Sequence, residues 1–199
     1  MKTPDKSKHN THGFTVPGMK PDDGAAVAEL LQKRLMALID LSLTLKHIHW
    51  NVVGPTFIGV HQMLDPQVAG VALMVDETAE RMATLGTSPN GLPGNLVSNR
   101  TWDDYSLSRD LVPAHLGALD LVYSGVIEAH RAAIDDVTDL DPVTEDMLIK
   151  QTGELEQYHW FVRAHLESAS GLLSTRGQST ERDAADAGRD PSVVAQGRS

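Results

Sequence analysis

Apolar side chains return at steps of three and four over four long stretches of the chain, the spacing that lines one face of an α-helix. In the first, from about Pro21 to Asn51, Val27, Leu30, Leu31, Leu35, Leu38, Ile39, Leu45 and Ile48 keep that rhythm, with Asp22 and Asp23 as capping residues. Val53-Gly54-Pro55-Thr56 stops it. A second helix is expected from about Phe57 to Leu85, ending at Gly86, with Pro66 inside it to cost a hydrogen bond and bend the axis. A third runs from about Ser108 to Thr138 and tolerates Pro113 in its early turns. After the break at Asp139–Pro142, a fourth extends from about Thr144 to Ser174. Residues 86–107, rich in Gly, Pro, Asn and Ser, form the longest internal connection and leave room for a short helix near Leu96.

Four helices of about thirty residues would each be about 45 Å long. The pattern therefore predicts an all-α four-helix bundle, and its long crossover between helices two and three is the ferritin-like arrangement rather than a simple up-down-up-down one. The bundle would occupy residues 21–174, with a flexible basic arm at 1–20 and a flexible charge-balanced tail at 175–199.

Composition narrows the chemistry. With no cysteine among 199 residues, disulfides, zinc–thiolate sites, iron–sulfur clusters and thiol nucleophiles are excluded. No run of eighteen apolar residues occurs and Met1–His12 is polar, which disfavours a membrane span or a secretory signal and makes the cytoplasm the expected compartment. The net charge is −10. It is unevenly spread: Lys2, Lys6, Lys8 and Lys20 against Asp5 leave the first twenty residues at +3, the last twenty-five balance, and the body between carries −13. An acidic body suits cations; a basic arm suits a polyanion.

The informative segment is His49–Arg81, HWNVVGPTFIGVHQMLDPQVAGVALMVDETAER. His61 and Asp65 are four apart, as are Asp76 and Glu80, so each pair projects two metal-competent side chains from one helix face. Asp65 and Asp76, however, are eleven residues apart, which separates the pairs by about 16 Å, too far to share one ion within a chain. Either the pairs serve separate sites, or a second copy of the helix runs antiparallel so that 61/65 of one meets 76/80 of the other. A two-fold axis supplies that arrangement, twice per dimer. His49, at the end of the preceding helix, can lean over the first pair. The predicted site is His49, His61 and Asp65 from one subunit with Asp76 and Glu80 from its partner. Two imidazoles and three carboxylates suit iron(II), with manganese, zinc and cobalt as competitors, better than calcium or magnesium.

The pair His49-Trp50, Asn51, Gly54, Phe57, the stretch Val60–Asp65 and the ending Asp76–Arg81 resemble the Dps proteins, or mini-ferritins, most strongly their actinobacterial branch. The resemblance covers roughly residues 12–175, and Leu155–Ser168, with Trp160-Phe161, looks like the family's last helix. It implies a hollow dodecamer with two-iron ferroxidase centres at its two-fold interfaces. These oxidise Fe(II), preferentially with hydrogen peroxide, and store Fe(III) mineral inside, protecting the cell and its DNA from oxidative damage. The five predicted ligands fall at the family's ferroxidase positions. By the same resemblance Trp50 intercepts radicals beside the site, and Asp141 and Asp146 line three-fold pores that admit iron. Gln62 departs from a Glu common beside the second ligand histidine.

Glu156-Gln-Tyr-His159 also fits the Glu-x-x-His motif of di-iron bundles whose site lies inside one subunit. Such centres need a second copy, which the sequence lacks, so Glu156 and His159 are expected to be surface residues. His47 is expected to pack, and His115, His130 and His165 receive no role. Several Dps proteins bind DNA through basic tails. Here Lys2, Lys6 and Lys8 are the candidates, because the C-terminal arginines alternate with as many acids. The alternative function is thus a nucleoid-associated, DNA-compacting protein with iron chemistry secondary.

Overall fold

The structure, a computed structural model, describes residues 13–189. Four long helices, α1 (Pro21–Asn51), α2 (Phe57–Thr84), α4 (Val112–Val137) and α5 (Pro142–Leu166), form the bundle. The crossover between α2 and α4 carries the short α3 (Pro93–Asn99), and a further helix, α6 (Glu181–Arg189), follows the bundle. Two two-residue strands, β1 (Val52–Val53) and β2 (Asp110–Leu111), pair in parallel with Val52 opposite Asp110. The fold is the ferritin-like bundle with the expected long crossover.

The apolar stripe of each helix is what the bundle buries. Leu38, Leu41, Leu45 and Ile48 of α1 meet Val60, Leu64, Val71 and Met74 of α2 in the larger core cluster, together with Leu116, Leu119 and Tyr123 of α4. Each such side chain contributes about 1.5–3 kcal/mol by leaving water. Val27, Leu31, Leu35, Met82 and Leu148 form a second cluster. α1 gives way to the loop before α2 at Gly54, whose φ of +114° a side chain would resist. α2 runs continuously through Pro66; Gln62, whose carbonyl loses its partner there, is exposed.

Both ends of the second half depart from expectation. The third helix begins at Val112 rather than Ser108, and the fourth stops at Leu166 rather than Ser174. More consequentially, the segment expected as a flexible tail is ordered as far as Arg189. Ala184, Ala185, Ala187 and Gly188 of α6 are buried. Ala185 packs with Ala114 and Ala118 of α4, and a Cβ at Gly188 would overlap the carbonyl oxygen of Pro113. Small residues let two backbones touch, a device invisible to a search for bulky apolar periodicity. The balanced charges are also spent on docking: Arg189 pairs with Asp110 and Asp186, and Glu181 accepts from the Ser106 amide at 2.8 Å. Lys2, Lys6 and Lys8, like residues 190–199, lie outside the described residues.

The turn into α6 is held by a buried carboxylate. Asp120 of α4, 3% exposed, accepts from His159 Nε2 at 2.6 Å, Arg163 Nε at 2.8 Å and Thr175 Oγ1 at 2.6 Å. His159 is therefore not the surface residue it was expected to be. Burial alone would raise the Asp120 pKa, but the hydrogen bonds from His159, Thr175 and Arg163 outweigh it and hold the group at about 2. Because the folded value lies below the unfolded one, this stabilisation is complete above about pH 4 and is lost as pH falls through about 2. The shift corresponds to about 2 kcal/mol. Denaturant unfolding at pH 4.5 and pH 2 should show the wild type losing about 2 kcal/mol more than Asp120→Asn over that interval. Equal losses would remove Asp120 from the account.

Candidate metal centre

The last turn of α1 and the first two turns of α2 converge across the Gly54 bend. Pairing of β1 with β2 ties the connecting residues to the start of α4, so the bend is anchored from outside as well as by its own turn. His49 is nearly buried at the end of α1, while His61 is half-buried and Asp65 exposed on α2. His49 and His61 stack with ring centroids 3.7 Å apart and an interplanar angle of 27°. His61 Nδ1 lies 2.9 Å from the His49 carbonyl oxygen. A carbonyl can only accept, so Nδ1 carries the proton and Nε2 keeps its lone pair for a ligand. Phe57 meets the His61 ring edge-on, with centroids 6.2 Å apart.

His49 Nε2 stands 2.9 Å from Asp65 Oδ1, with Lys46 Nζ 3.4 Å from the same oxygen. The His49 contact is short but not directed as a hydrogen bond: both ring nitrogens of this buried imidazole lack a hydrogen-bond partner among the described residues. Partial desolvation would raise the Asp65 pKa, yet the Lys46 and His49 contacts outweigh it and keep the group a carboxylate at neutral pH. One donor atom from each of His49, His61 and Asp65 lies within 4.8 Å of the others, the geometry of a single ion's ligands.

Other candidates fall elsewhere. Asp76 and Glu80 are exposed further along α2 and do not join the cluster; within one chain, helix rise keeps them about 16 Å away. Trp50 is 70% exposed next to His49. Asp146 is exposed in the first turns of α5. Asp141, expected at a pore, is instead 3% exposed: it caps α5 by accepting from the Val143 amide, and binds Arg81 and the Thr144 hydroxyl. Those partners consume its charge inside one subunit. Glu156 pairs with Arg131 at the surface while His159 turns to Asp120, so the Glu-x-x-His residues do not converge on an ion. His47 packs at Leu107, donating from Nε2 to its carbonyl at 2.8 Å. The Asp120 network was missed in the sequence because its other members lie 39 to 55 residues from Asp120 and share no motif with it.

A four-helix bundle with this crossover is the ferritin-like architecture, here carrying a His/carboxylate cluster with an exposed carboxylate. The Ferritin-like domain family matches residues 28–172. A DNA protection during starvation protein of Mycolicibacterium smegmatis is 60% identical over 180 residues, 90% of this chain and 98% of that protein. The fine tangled pili major subunit of Haemophilus ducreyi is 52% identical over 83% of this chain and 87% of its own length. Among solved structures, Mycobacterium smegmatis Dps superposes with a TM-score of 0.83 at 61% identity, covering 84% of this chain and 95% of that one. A Streptomyces coelicolor Dps gives 0.82 at 55%, covering 83% and 99%. The chain belongs to the Dps family of ferritin-like proteins.

The geometry makes the cluster testable with a spectroscopic ion. Cobalt(II) titration should give visible d–d absorption that saturates, and His49→Ala or His61→Ala should weaken that binding at least about tenfold with helix content unchanged by circular dichroism. An unchanged cobalt spectrum in both variants would place the metal elsewhere.

Proposed function

We propose that the chain is a ferroxidase and iron-storage subunit that works as a dodecamer, each centre completed across a two-fold axis. The observation that carries this reading is the His49–His61–Asp65 cluster, with Asp65 exposed and a buried imidazole, His49, whose nitrogens have no hydrogen-bond partner among the described residues. Three ligands from one chain leave coordination positions for Asp76 and Glu80 of an antiparallel neighbour, and for the oxidant. Support for the neighbour comes from the face between the two pairs: Ala69, Ala72 and Leu73 are exposed there, Leu73 by 71%. An apolar patch centred between matching ligand pairs is what an isologous contact buries.

Iron(II) is the substrate. Two ferrous ions give one electron each to one hydrogen peroxide; the O–O bond breaks, both oxygens leave at the level of hydroxide, and no hydroxyl radical is released. His49 and His61 supply neutral nitrogen donors and the carboxylates hold the ferric product, whose charge they offset. The acidic body, at −13 per chain, draws Fe²⁺ to the assembly and offers carboxylates for mineral nucleation, with Asp146 the remaining pore candidate. We assign to Trp50, exposed next to His49 in the chain, the interception of an escaping radical. Zinc, manganese and cobalt compete for the same donors. The compartment we infer is the cytoplasm.

After anaerobic Fe(II) loading, peroxide should produce near-ultraviolet ferric absorption that slows at least about tenfold in Asp76→Ala/Glu80→Ala, and native mass should be twelve times that of the chain. An unchanged rate in the double variant, or iron oxidation by a stable monomer, would sink the shared site.

A second reading, DNA compaction, has one specific observation behind it: the +3 arm containing Lys2, Lys6 and Lys8. Twelve copies convert a weak contact into useful avidity. Gel retardation at physiological salt should disappear on removal of residues 1–12 while ferroxidase activity stays. Retardation that persists without the arm would assign DNA binding to another surface.

A further inference from the structure

A cavity of about 780 Å³ lies between α1 and α4, on the side where crossover residues Thr101–Ser106 and the lead into α6, Ser179–Arg182, close over the bundle. Its size is that of a small-molecule site. Ala37 and Leu41 of α1 with Leu121, Val122, Val126 and Ala129 of α4 make an apolar wall. Arg34 projects into this space from α1.

The charges around the cavity are not equally committed. Asp40 accepts from Trp102 Nε1 at 2.7 Å and lies 3.4 Å from Arg100; Asp104 pairs with Arg100; Glu181 accepts from the Ser106 amide. Arg34 is different. Its guanidinium makes no hydrogen bond or ion pair among the described residues, and unlike Arg182, the exposed arginine that also lines the cavity, it has a nitrogen, Nη1, buried without a partner. Near it His130, fully buried, has an unpartnered Nε2. Burial first and the Arg34 charge second pull the His130 pKa down to about 4, so this imidazole is neutral at physiological pH and adds no second positive charge beside the guanidinium. A desolvated guanidinium with no anion is costly to keep, and a guanidinium recognises a carboxylate through paired N–H groups.

We propose that the cavity binds a small organic monocarboxylate, its carboxylate on Arg34 and its hydrocarbon body along the Leu41–Val126 wall. The apolar wall selects against inorganic phosphate, and the lining acids Asp40, Asp103, Asp104 and Glu181 outnumber the lining cations Arg34 and Arg182, which disfavours a second negative charge on the ligand. The centre at His49 has no part in this, so the proposal stands apart from the ferroxidase reading.

Calorimetric titration of the assembled protein with hexanoate tests it, with hexylamine and inorganic phosphate as comparison ligands. Hexanoate should bind saturably at one site per chain, and Arg34→Met should weaken it at least about tenfold. Gly125 also lines the cavity, and a Cβ there meets nothing within 4 Å, so Gly125→Leu keeps Arg34 and the helix while filling the site. That variant should lose hexanoate binding as well, and it decides the question alone if Arg34→Met does not assemble. Absence of saturable hexanoate binding at millimolar concentration, equal binding by Gly125→Leu, or equal affinity for phosphate or hexylamine would overturn the proposal.

Discussion

The hydrogen bond from His61 Nδ1 to the His49 carbonyl, made as the two rings stack, closes the chain on itself across the Gly54 bend. That one contact sets the tautomer of His61, the angle at which α2 leaves α1, and the distance from His49 to Asp65. The three donors of the cluster, His49, His61 and Asp65, are placed by it. Its permanence is owed to parts that never touch an ion: the φ of +114° open to Gly54, the β1–β2 pair that pins Val52 to Asp110, and the Ile48–Val60–Leu64 packing beneath. Asp110 is in turn gripped by Arg189 of α6, so the end of the ordered chain braces the strand pair beside the cluster.

What the sequence disclosed and what it withheld follow from the range of the interactions. Local rules were enough for the four helices and the crossover, because apolar periodicity and Gly/Pro punctuation act within a few residues. The two i,i+4 pairs were legible for the same reason. Docking of α6 was not: its buried face is Ala and Gly, and the close backbone approach that rewards those residues exists only once α4 lies opposite. Asp141 shows the complementary failure. An Asp at a helix start is equally suited to solvent, a pore or a cap, and only the approach of Arg81 from α2, sixty residues earlier, decides for the cap. His159 was misplaced because its partner Asp120 is set by the packing of α4 on α5.

The acids of the chain divide by burial into two physical kinds. Asp120 and Asp141 are surrounded by donors and work as internal fasteners, each binding segments remote in sequence. Asp65, Asp76, Glu80 and Asp146 remain at the surface, where a cation can be their partner. Arg163 and Arg81, which pair with these two buried acids, are already counted in the net charge, so the fasteners leave it unchanged and the negative excess belongs to the other carboxylates.

A straight helix imposes the last constraint. α2 is continuous from Phe57 to Thr84, so the spacing between His61/Asp65 and Asp76/Glu80 is fixed at about 16 Å by helix rise and cannot be shortened by any local motion that keeps the helix. If the site is shared as proposed above, three donors from one chain make an incomplete ligand set, and a single subunit would hold ions weakly and release them unreacted. On the reading proposed above, completing the set requires the exposed Leu73 face to be buried against its own copy, which couples the appearance of activity to assembly. The coupling has a chemical advantage. A subunit able to bind iron and peroxide before a shell surrounds it would leave its ferric product in open solution, whereas a site formed only at the interface begins to oxidise iron where the mineral can be retained.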